Sequence, residues 1–431
     1  MNVLMFTNTY APHVGGVARS VAGFAEEFRR QGHRVLVVAP TFDGTTDDEP
    51  NVLRVPAIEH FRDSDFSLPL PIPVTTHNEI EEFGPNVIHS HHPFLLGHSA
   101  LRAAALYDLP VVFTHHTQYH KYTHYIAGDW EVWKRLIVDM ATGYCNLCDA
   151  VIAPSQSIVD FLRDHEVTAR IEVIPTGVDF EWFSRGDRQA ARQELGFAPD
   201  DFVVGHVGRL APEKNLEFLS RAVAAFLRKH SQARFLLVGK GKQEQTMEDC
   251  LTQAGVRDRL VHTGILEREK LRAAYHAMNV FAFSSKSETQ GMVLTEAMAA
   301  GVPVVALRAP GVSDVVRDGV NGRMLDDEDE AAFTAALEWV AVQPPDVRQS
   351  LAEGARRTAR EFSMPRCAAR MLALYESLAS ELRRERAVQE DESVWSSAVR
   401  RVREELRIWS NVGTAVERAV LGFGTADLEE P

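Results

Sequence analysis

Glu288 and Glu296 flank Gly291 in the segment Ser-Ser-Lys-Ser-Glu-Thr-Gln-Gly-Met-Val-Leu-Thr-Glu-Ala-Met-Ala-Ala-Gly at 284–301. The apolar run Val280 to Phe283 precedes them, which predicts a strand that ends in a polar, glycine-containing turn and opens into a helix. Such a turn leaves backbone N–H groups unpaired, and an anion can sit there. The two carboxylates can accept from neutral hydroxyls beside that anion. A phosphate next to a polyhydroxylated ring is the chemistry of a nucleotide sugar.

Arg209 and Lys214 follow the apolar run Val203 to Val207, in Val-Gly-Arg-Leu-Ala-Pro-Glu-Lys-Asn. A forked guanidinium beside a compact ammonium suits a diphosphate, one binding two oxygens while the other neutralises developing charge. Gly15-Gly16 lies between the first strand and the first helix, where backbone can approach a ligand closely. Gly239 and Gly241 hold a similar position after Leu237-Val238, with an ordinary turn as the plainer expectation. Histidines crowd residues 89–124, and His116, just after the strand Val111 to Thr114, is the candidate for holding a sugar hydroxyl or the reacting phosphate. His116, His120 and His124 are four apart and would share one face of a continuous helix, but no accompanying carboxylate or HExxH pattern completes a zinc site. No metal is expected.

These residues need a frame to hold them. Short β-rich runs at Val3 to Phe6, Val35 to Ala39, Val87 to Ser90, Val111 to Thr114, Val151 to Pro154 and Ile171 to Pro175 alternate with helical patterns, and a polar stretch follows from about 179 to 201. The rhythm resumes at Phe202 to Val207, Phe235 to Val238, Leu260 to Thr263, Val280 to Phe283 and Val302 to Ala306. Strand and helix in alternation predict parallel sheets, hence an α/β protein of two doubly wound domains facing a cleft. The expected boundaries are 1–185, 186–375 and a helical tail, 376–431. In that tail Trp395, Ala398, Val402, Leu406, Trp409, Val416, Val420 and Phe423 follow helical spacing among arginines, and the stripe is expected to pack back on the first domain. The competing reading lays it on an anionic membrane.

Composition narrows the partners. With 431 residues, 45% apolar and 25% charged, the chain is an ordinary globular protein long enough for two cores. A net charge of −14 argues against a nucleic-acid partner, and four cysteines are too few for a disulfide scaffold. No apolar run reaches the length that spans a bilayer. A cytoplasmic protein is expected, with a peripheral contact on the inner face of the membrane left open.

Gly15-Gly16-Val17, Thr-His-His-Thr at 114–117, Ile-Pro-Thr-Gly-Val-Asp at 174–179, Val-Gly-Arg-Leu with Pro-Glu-Lys-Asn, and the Glu-x7-Glu segment stand in an order that resembles glycosyltransferase family 4. The matches cover about residues 1–375. The resemblance implies a GT-B architecture, retaining transfer without an essential metal, and a nucleotide diphosphate sugar held mainly by the second domain. It puts the diphosphate on Arg209 and Lys214, donor-sugar hydroxyls on Glu288 and the ribose on Glu296. Backbone at Gly291, Met292 and Val293 would cradle phosphate or sugar, the base would lie near His262 to Ile265 with Gly264, and Gly15-Gly16 would meet the donor phosphates from the other domain. Thr-His-His-Thr-Gln-Tyr-His-Lys-Tyr-Thr-His-Tyr at 114–125 and Ser-Glu-Thr-Gln-Gly at 287–291 look most like bacterial diacylglycerol α-glucosyltransferases. That subgroup implies UDP-glucose as the donor, with GDP-mannose next, and a lipid acceptor for which Phe61 to Pro73 is a candidate loop; a small sugar or polyol is the alternative acceptor.

Two other classes compete. A nucleotide-sugar epimerase would need no acceptor, and a binding protein would keep the cradle without the chemistry. Arg209, Lys214, His116 and Glu288 together speak against the second.

Overall fold

The computed structural model describes the chain apart from residues 14, 43–44, 46–48, 59–67, 70–73, 117–129, 389–393 and 422–431. His120, His124 and the lipid-loop candidate at 61–73 are therefore outside the described residues, except for a short strand at 68–69. The chain divides into two compact units, Met1–Gly177 with Pro365–Pro431, and Val178–Met364. These divisions fall ahead of positions 185 and 375. Val178 belongs with the second unit because its N–H donates to Phe362 O at 2.8 Å and its carbonyl accepts from Met364 N at 2.9 Å. The chain after 364 belongs with the first, where Tyr375 packs edge-on against Phe28.

The first unit is built on β1 (Asn2–Phe6), β2 (Arg34–Pro40), β3 (Val52–Val55), β6 (Val87–Ser90), β7 (Val111–Thr114), β8 (Ala150–Ala153) and β9 (Arg170–Val173); β4 (Ala57–Ile58) and β5 (Leu68–Pro69) form a separate antiparallel pair. The main sheet runs β3-β2-β1-β6-β7-β8-β9, parallel throughout. Its strands are near-continuous Val, Ile, Phe and Ala because helices cover both faces. Leu4, Phe6, Ile88, Phe113 and Val151 pack with Leu101, Tyr144 and Ile158 in one such layer.

The second unit repeats the plan with β10 (Phe202–Val207), β11 (Ala233–Val238), β12 (Leu260–Gly264), β13 (Val280–Phe283), β14 (Val304–Leu307) and β15 (Gly322–Leu325). Its order is β12-β11-β10-β13-β14-β15, again parallel. One face buries Val203, Phe281, Phe283, Leu294 and Met298, and the other Val204, Phe235, Leu237, Val280 and Phe333. Strand order reverses between β1 and β6 in one unit and between β10 and β13 in the other, and at such a point the two neighbouring loops part to leave a crevice. The edge strands β3 and β15 were not anticipated, because the arginine in each leaves only two apolar residues in succession, Val52-Leu53 and Met324-Leu325.

The tail is two helices, Met364–Val388 and Val394–Leu421. The second packs on helices Trp130–Cys145 and Leu96–Tyr107 of the first unit, but not through the expected stripe. Ile408, Ala415 and Ala419 are buried while Val402, Leu406, Trp409 and Val416 are exposed. Small residues allow the closest helix approach, so alanines rather than Leu and Trp take the inner face. Phe423 and the side chains of Trp395, Ala398 and Val420 lie outside what is described.

Candidate functional site

In the second unit the crevice at the β10–β13 reversal gathers the charged candidates. Arg209 leaves the end of β10, and its Nη2 donates to Glu213 Oε1 at 2.5 Å. Lys214 closes a single 3-10 turn, Pro212–Lys214, which ends at Asn215 in the left-handed region. Three serines after β13 pin that turn in place. Ser284 Oγ donates to Lys214 O at 2.8 Å and Asn215 O at 3.0 Å, and Ser287 Oγ to Glu213 O at 3.3 Å, with Ser285 Oγ at the same carbonyl at 3.5 Å. The pinning brings Lys214 Nζ into an ion pair with Glu288 Oε1 across 74 residues of chain. Both side chains are mostly buried, whereas Arg209 is largely exposed. A cation and an anion held together at the open end of a parallel sheet can present positive charge to a phosphate and a carboxylate to a hydroxyl.

Gly291 has φ 72° and begins the helix Met292–Ala299 without a side chain to cap it. The first-turn N–H groups, those of Met292 and Val293 among them, thus have no cap from that residue. The loop before it is held from behind by a contact the sequence did not disclose. Gly311 has φ 74°, and a Cβ there would stand 2.5 Å from Gln290 N, so only glycine lets the 309–312 turn back the Ser-Glu-Thr-Gln-Gly loop. Glu296 is buried and its Oε2 accepts from Tyr275 Oη at 2.7 Å. Gly264 ends β12 at φ 70°, and its carbonyl accepts from Gly239 N at 2.9 Å. Gly239 itself serves the fold: a Cβ on it would come within 1.9 Å of Gly208 O.

His206 lies beside these candidates and was not among the residues singled out from the sequence. It is buried in β10, stacked near the rings of Phe281 and Phe283, and its Nδ1 is 3.0 Å from Ala282 O. Nδ1 therefore carries the proton and Nε2 the lone pair. Burial pushes its pKa down to about 4, with Lys214 adding a smaller push down and Glu288 opposing it, so a neutral ring lies within electrostatic reach of the ion pair. A lone histidine inside an apolar strand reads as core, and only the sheet order places it next to those charges.

The first unit holds Gly15, Gly16 and His116. Gly15 precedes the helix Gly16–Arg30, and a Cβ on Gly16 would meet no described atom within 4 Å, so nothing described in the fold requires glycine there. Asn8 ties the loop after β1 to the loop after β6: its N–H donates to His92 Nδ1 at 3.1 Å, and its Oδ1 accepts from Leu96 N at 3.2 Å. Around that junction His91 Nδ1 lies 2.9 Å from His116 Nε2, while His89 bridges Tyr375 Oη at 2.6 Å and Thr114 Oγ1 at 2.7 Å. Burial pushes His89 and His92 to about 3 and holds His91 and His116 well below the ordinary histidine range. His91 Nε2 has no hydrogen-bond partner among the described residues. A buried unfilled lone pair costs less than a buried unpaired N–H, which puts the His91 proton on Nδ1, the lone pair of His116 on Nε2 and the His116 proton on Nδ1. His116 is thus a neutral hydrogen-bond donor at Nδ1. Among the described residues no group of three His, Cys, Asp or Glu side chains is arranged to hold a metal ion, and no helix is long and apolar enough to cross a membrane.

The family model for Glycosyltransferase Family 4 matches residues 14–182, and that for Glycosyl transferases group 1 matches 187–358. An alpha-monoglucosyldiacylglycerol synthase of Streptococcus pneumoniae is 28% identical over 371 residues, 82% of this chain and 81% of its own. A GDP-mannose-dependent alpha-mannosyltransferase of Mycolicibacterium smegmatis is 31% identical over 391 residues, 88% of this chain and 98% of its own. Among solved structures, Anabaena HepE in complex with UDP superimposes with a TM-score of 0.70 at 22% identity, covering 88% of this chain and all of that one (100%).

Proposed function

The chain belongs to glycosyltransferase family 4, and from that membership we propose that it moves glucose from UDP-glucose to a hydroxyl of diacylglycerol or a related lipid, with retention at the anomeric carbon. It is a hexosyltransferase of GT-B type. The lipid acceptor follows the Streptococcus pneumoniae relative, and would make the enzyme a peripheral one at the inner membrane face. The observation that carries the reading is the Lys214–Glu288 pair at the β10–β13 reversal, with Arg209 on the same rim.

In this reading Lys214 and Arg209 bind the donor diphosphate, helped by the first-turn N–H groups at Met292 and Val293. Their charge is in place before the reaction, so the negative charge that builds on the departing diphosphate needs little reorganisation to be stabilised. Glu288 holds sugar hydroxyls and Glu296 the ribose, Gly264 lines the base pocket, and Gly15-Gly16 leaves room at the phosphates. His116, neutral with its proton on Nδ1, donates to a sugar hydroxyl. The bond from the anomeric carbon to the diphosphate breaks as the acceptor oxygen attacks on the same face, and the acceptor proton passes to a diphosphate oxygen. The Glu288 carboxylate already faces an ammonium, which makes it a poor nucleophile and favours this front-side course over a covalent glycosyl ester.

The test is release of nucleoside diphosphate from UDP-glucose and from GDP-mannose, each with diacylglycerol, with soluble sugars and polyols, and alone. Release from UDP-glucose that requires diacylglycerol is expected. Dependence on a soluble acceptor would select the small-sugar alternative, and release that depends on no acceptor would sink transfer. A GDP-mannose donor is the second reading, favoured by the 31% identical mannosyltransferase. An ester trapped on Glu288 would overturn the mechanism, and loss of turnover in EDTA the metal-free course.

A further inference from the structure

The helix Val394–Leu421 has two apolar faces, and the fold uses only one. On the inner side Ile408, Ala415 and Ala419 are buried. Gly143 lets the crossing helix come so close that a Cβ there would stand 1.7 Å from Asn411 Oδ1, and Asn411 Nδ2 donates to Met140 O at 3.2 Å. On the outer side Val399, Val402, Leu406, Trp409 and Val416 are exposed, Leu406 by 65% and Trp409 by 66%. Spacings of three, four, three and seven keep all five within one stripe about a third of the helix circumference wide. Half of the exposed large hydrophobic residues among those described lie on this one helix. Scattered exposure is normal, but a continuous stripe marks a contact surface.

The flank of the stripe says what it contacts. Alongside Leu406 runs a groove of about 490 Å³ whose walls include Arg403, Arg407, Arg418, Asn146 and Ser410. Arg407 pairs with the buried Glu404 at 2.9 Å and Arg418 with Glu166 at 2.9 Å, and Arg403 has no ion pair among the described residues. The acidic lining is Glu166, already matched by Arg418, and Asp139. The closing helix itself carries Arg400, Arg401, Arg403, Arg407 and Arg418 against Glu404, Glu405 and Glu417, an excess of positive charge in a protein whose net charge is −14. Charge acts at a surface over about 8 Å at physiological salt, so the arginines beside the stripe outweigh acids elsewhere.

We propose that this face of the closing helix docks on an anionic lipid bilayer, with the stripe among the acyl chains and a headgroup phosphate in the arginine groove. The proposal extends the lipid reading of the acceptor, and its test requires neither donor nor acceptor. A helix with an apolar stripe containing Trp and a basic shoulder lies in the plane of the membrane boundary, held jointly by apolar burial and attraction to anionic headgroups.

The experiment is co-sedimentation of the full chain with vesicles of phosphatidylglycerol and phosphatidylcholine in equal parts, or of phosphatidylcholine alone, at about 0.15 M salt. Binding to the mixed vesicles and at least about tenfold less to the neutral ones is expected. Leu406→Ser with Trp409→Ser should abolish binding with an unchanged melting temperature and unchanged UDP affinity. Arg403→Gln should weaken binding to the mixed vesicles by about fivefold, one arginine's share at a charged surface, and leave neutral vesicles unaffected. Equal binding by the double serine variant, or by both vesicle types, would overturn the proposal. So would a wild-type dimer in sedimentation velocity that the double variant loses, since a second copy would then cover the stripe. Vesicle binding without lipid glucosylation would leave this surface standing and sink the lipid acceptor; the converse result would do the opposite.

Discussion

At the level of single residues, site geometry depends on side chains that were not conspicuous in the sequence. Lys214 and Glu288 carry the obvious charge, but Ser284, Ser285 and Ser287 set the distance between them by bonding the carbonyls of 213–215. Lys214→Ala and Glu288→Ala should each lower kcat/KM by at least about tenfold, with circular dichroism unchanged, because each removes a group that meets the donor in the cleft reading. Gly311→Ala tests the support from behind. A methyl 2.5 Å from the Gln290 nitrogen at φ 74° forces the loop to move; a stability loss of at least about 1–2 kcal/mol in urea unfolding and loss of donor binding are expected. Glu288 and Gly291 were legible from spacing alone. His206 and Gly311 were not, because one looks like core and the other like a turn until the strands are set side by side.

At the scale of elements, the ends of the central strands β1, β6 and β7 are built around neutral imidazoles, and this gives the first unit a pH dependence of known sign. Folding holds His89 and His92 near 3 and lowers His91 and His116, whereas an unfolded chain would protonate them near 6.5. Their contribution to stability is complete above about 6.5 and is lost progressively as pH falls toward 3. Asp139, Asp149 and Glu404 act in the opposite sense: burial raises their carboxyls, so as pH falls the folded chain protonates them before the unfolded one does, from each raised value down to the ordinary carboxylate range of about 4, and this offsets part of the histidine loss at the acid end. The melting temperature should therefore drop between about pH 7 and pH 5 in a thermal scan, and a flat profile would contradict the neutral histidine cluster. These central strands were read correctly from Val-Ile-Phe runs. Of the strands missed, β4 and β5 are two residues each, and in β3 and β15 an arginine leaves only two apolar residues in succession, whereas the edge strands β9 and β12 were read from their apolar runs.

For the whole molecule, the two units share one winding order, and each leaves its own crevice where that order reverses. The first unit is completed by the end of the chain, whose closing helix covers helices Leu96–Tyr107 and Trp130–Cys145. Removal of residues 394–431 should expose their apolar sides and yield a protein that aggregates or melts well below the full chain, measured by light scattering on heating. Cysteine chemistry offers a second check on the packing. Cys145 and Cys148 are buried with their thiols pushed up, and Cys367 is raised to about 12, while Cys250 is only partly buried. Iodoacetamide at about pH 8 should label Cys250 in the native protein and all four only after unfolding, because the thiolate is the reactive form.

The amino-acid order by itself determined the alternation of strand and helix, the repeat of that alternation in two halves, and the family pattern, because these are properties of residues near one another along the chain. Tertiary structure decided which distant groups meet. Lys214 faces Glu288 because serines on a neighbouring strand end hold its turn, and the closing helix turns Ala415 and Ala419 inward because small residues let helices approach most closely. Periodicity shows that a helix has an apolar face; when it has two, the shape of the neighbour selects the one that is buried.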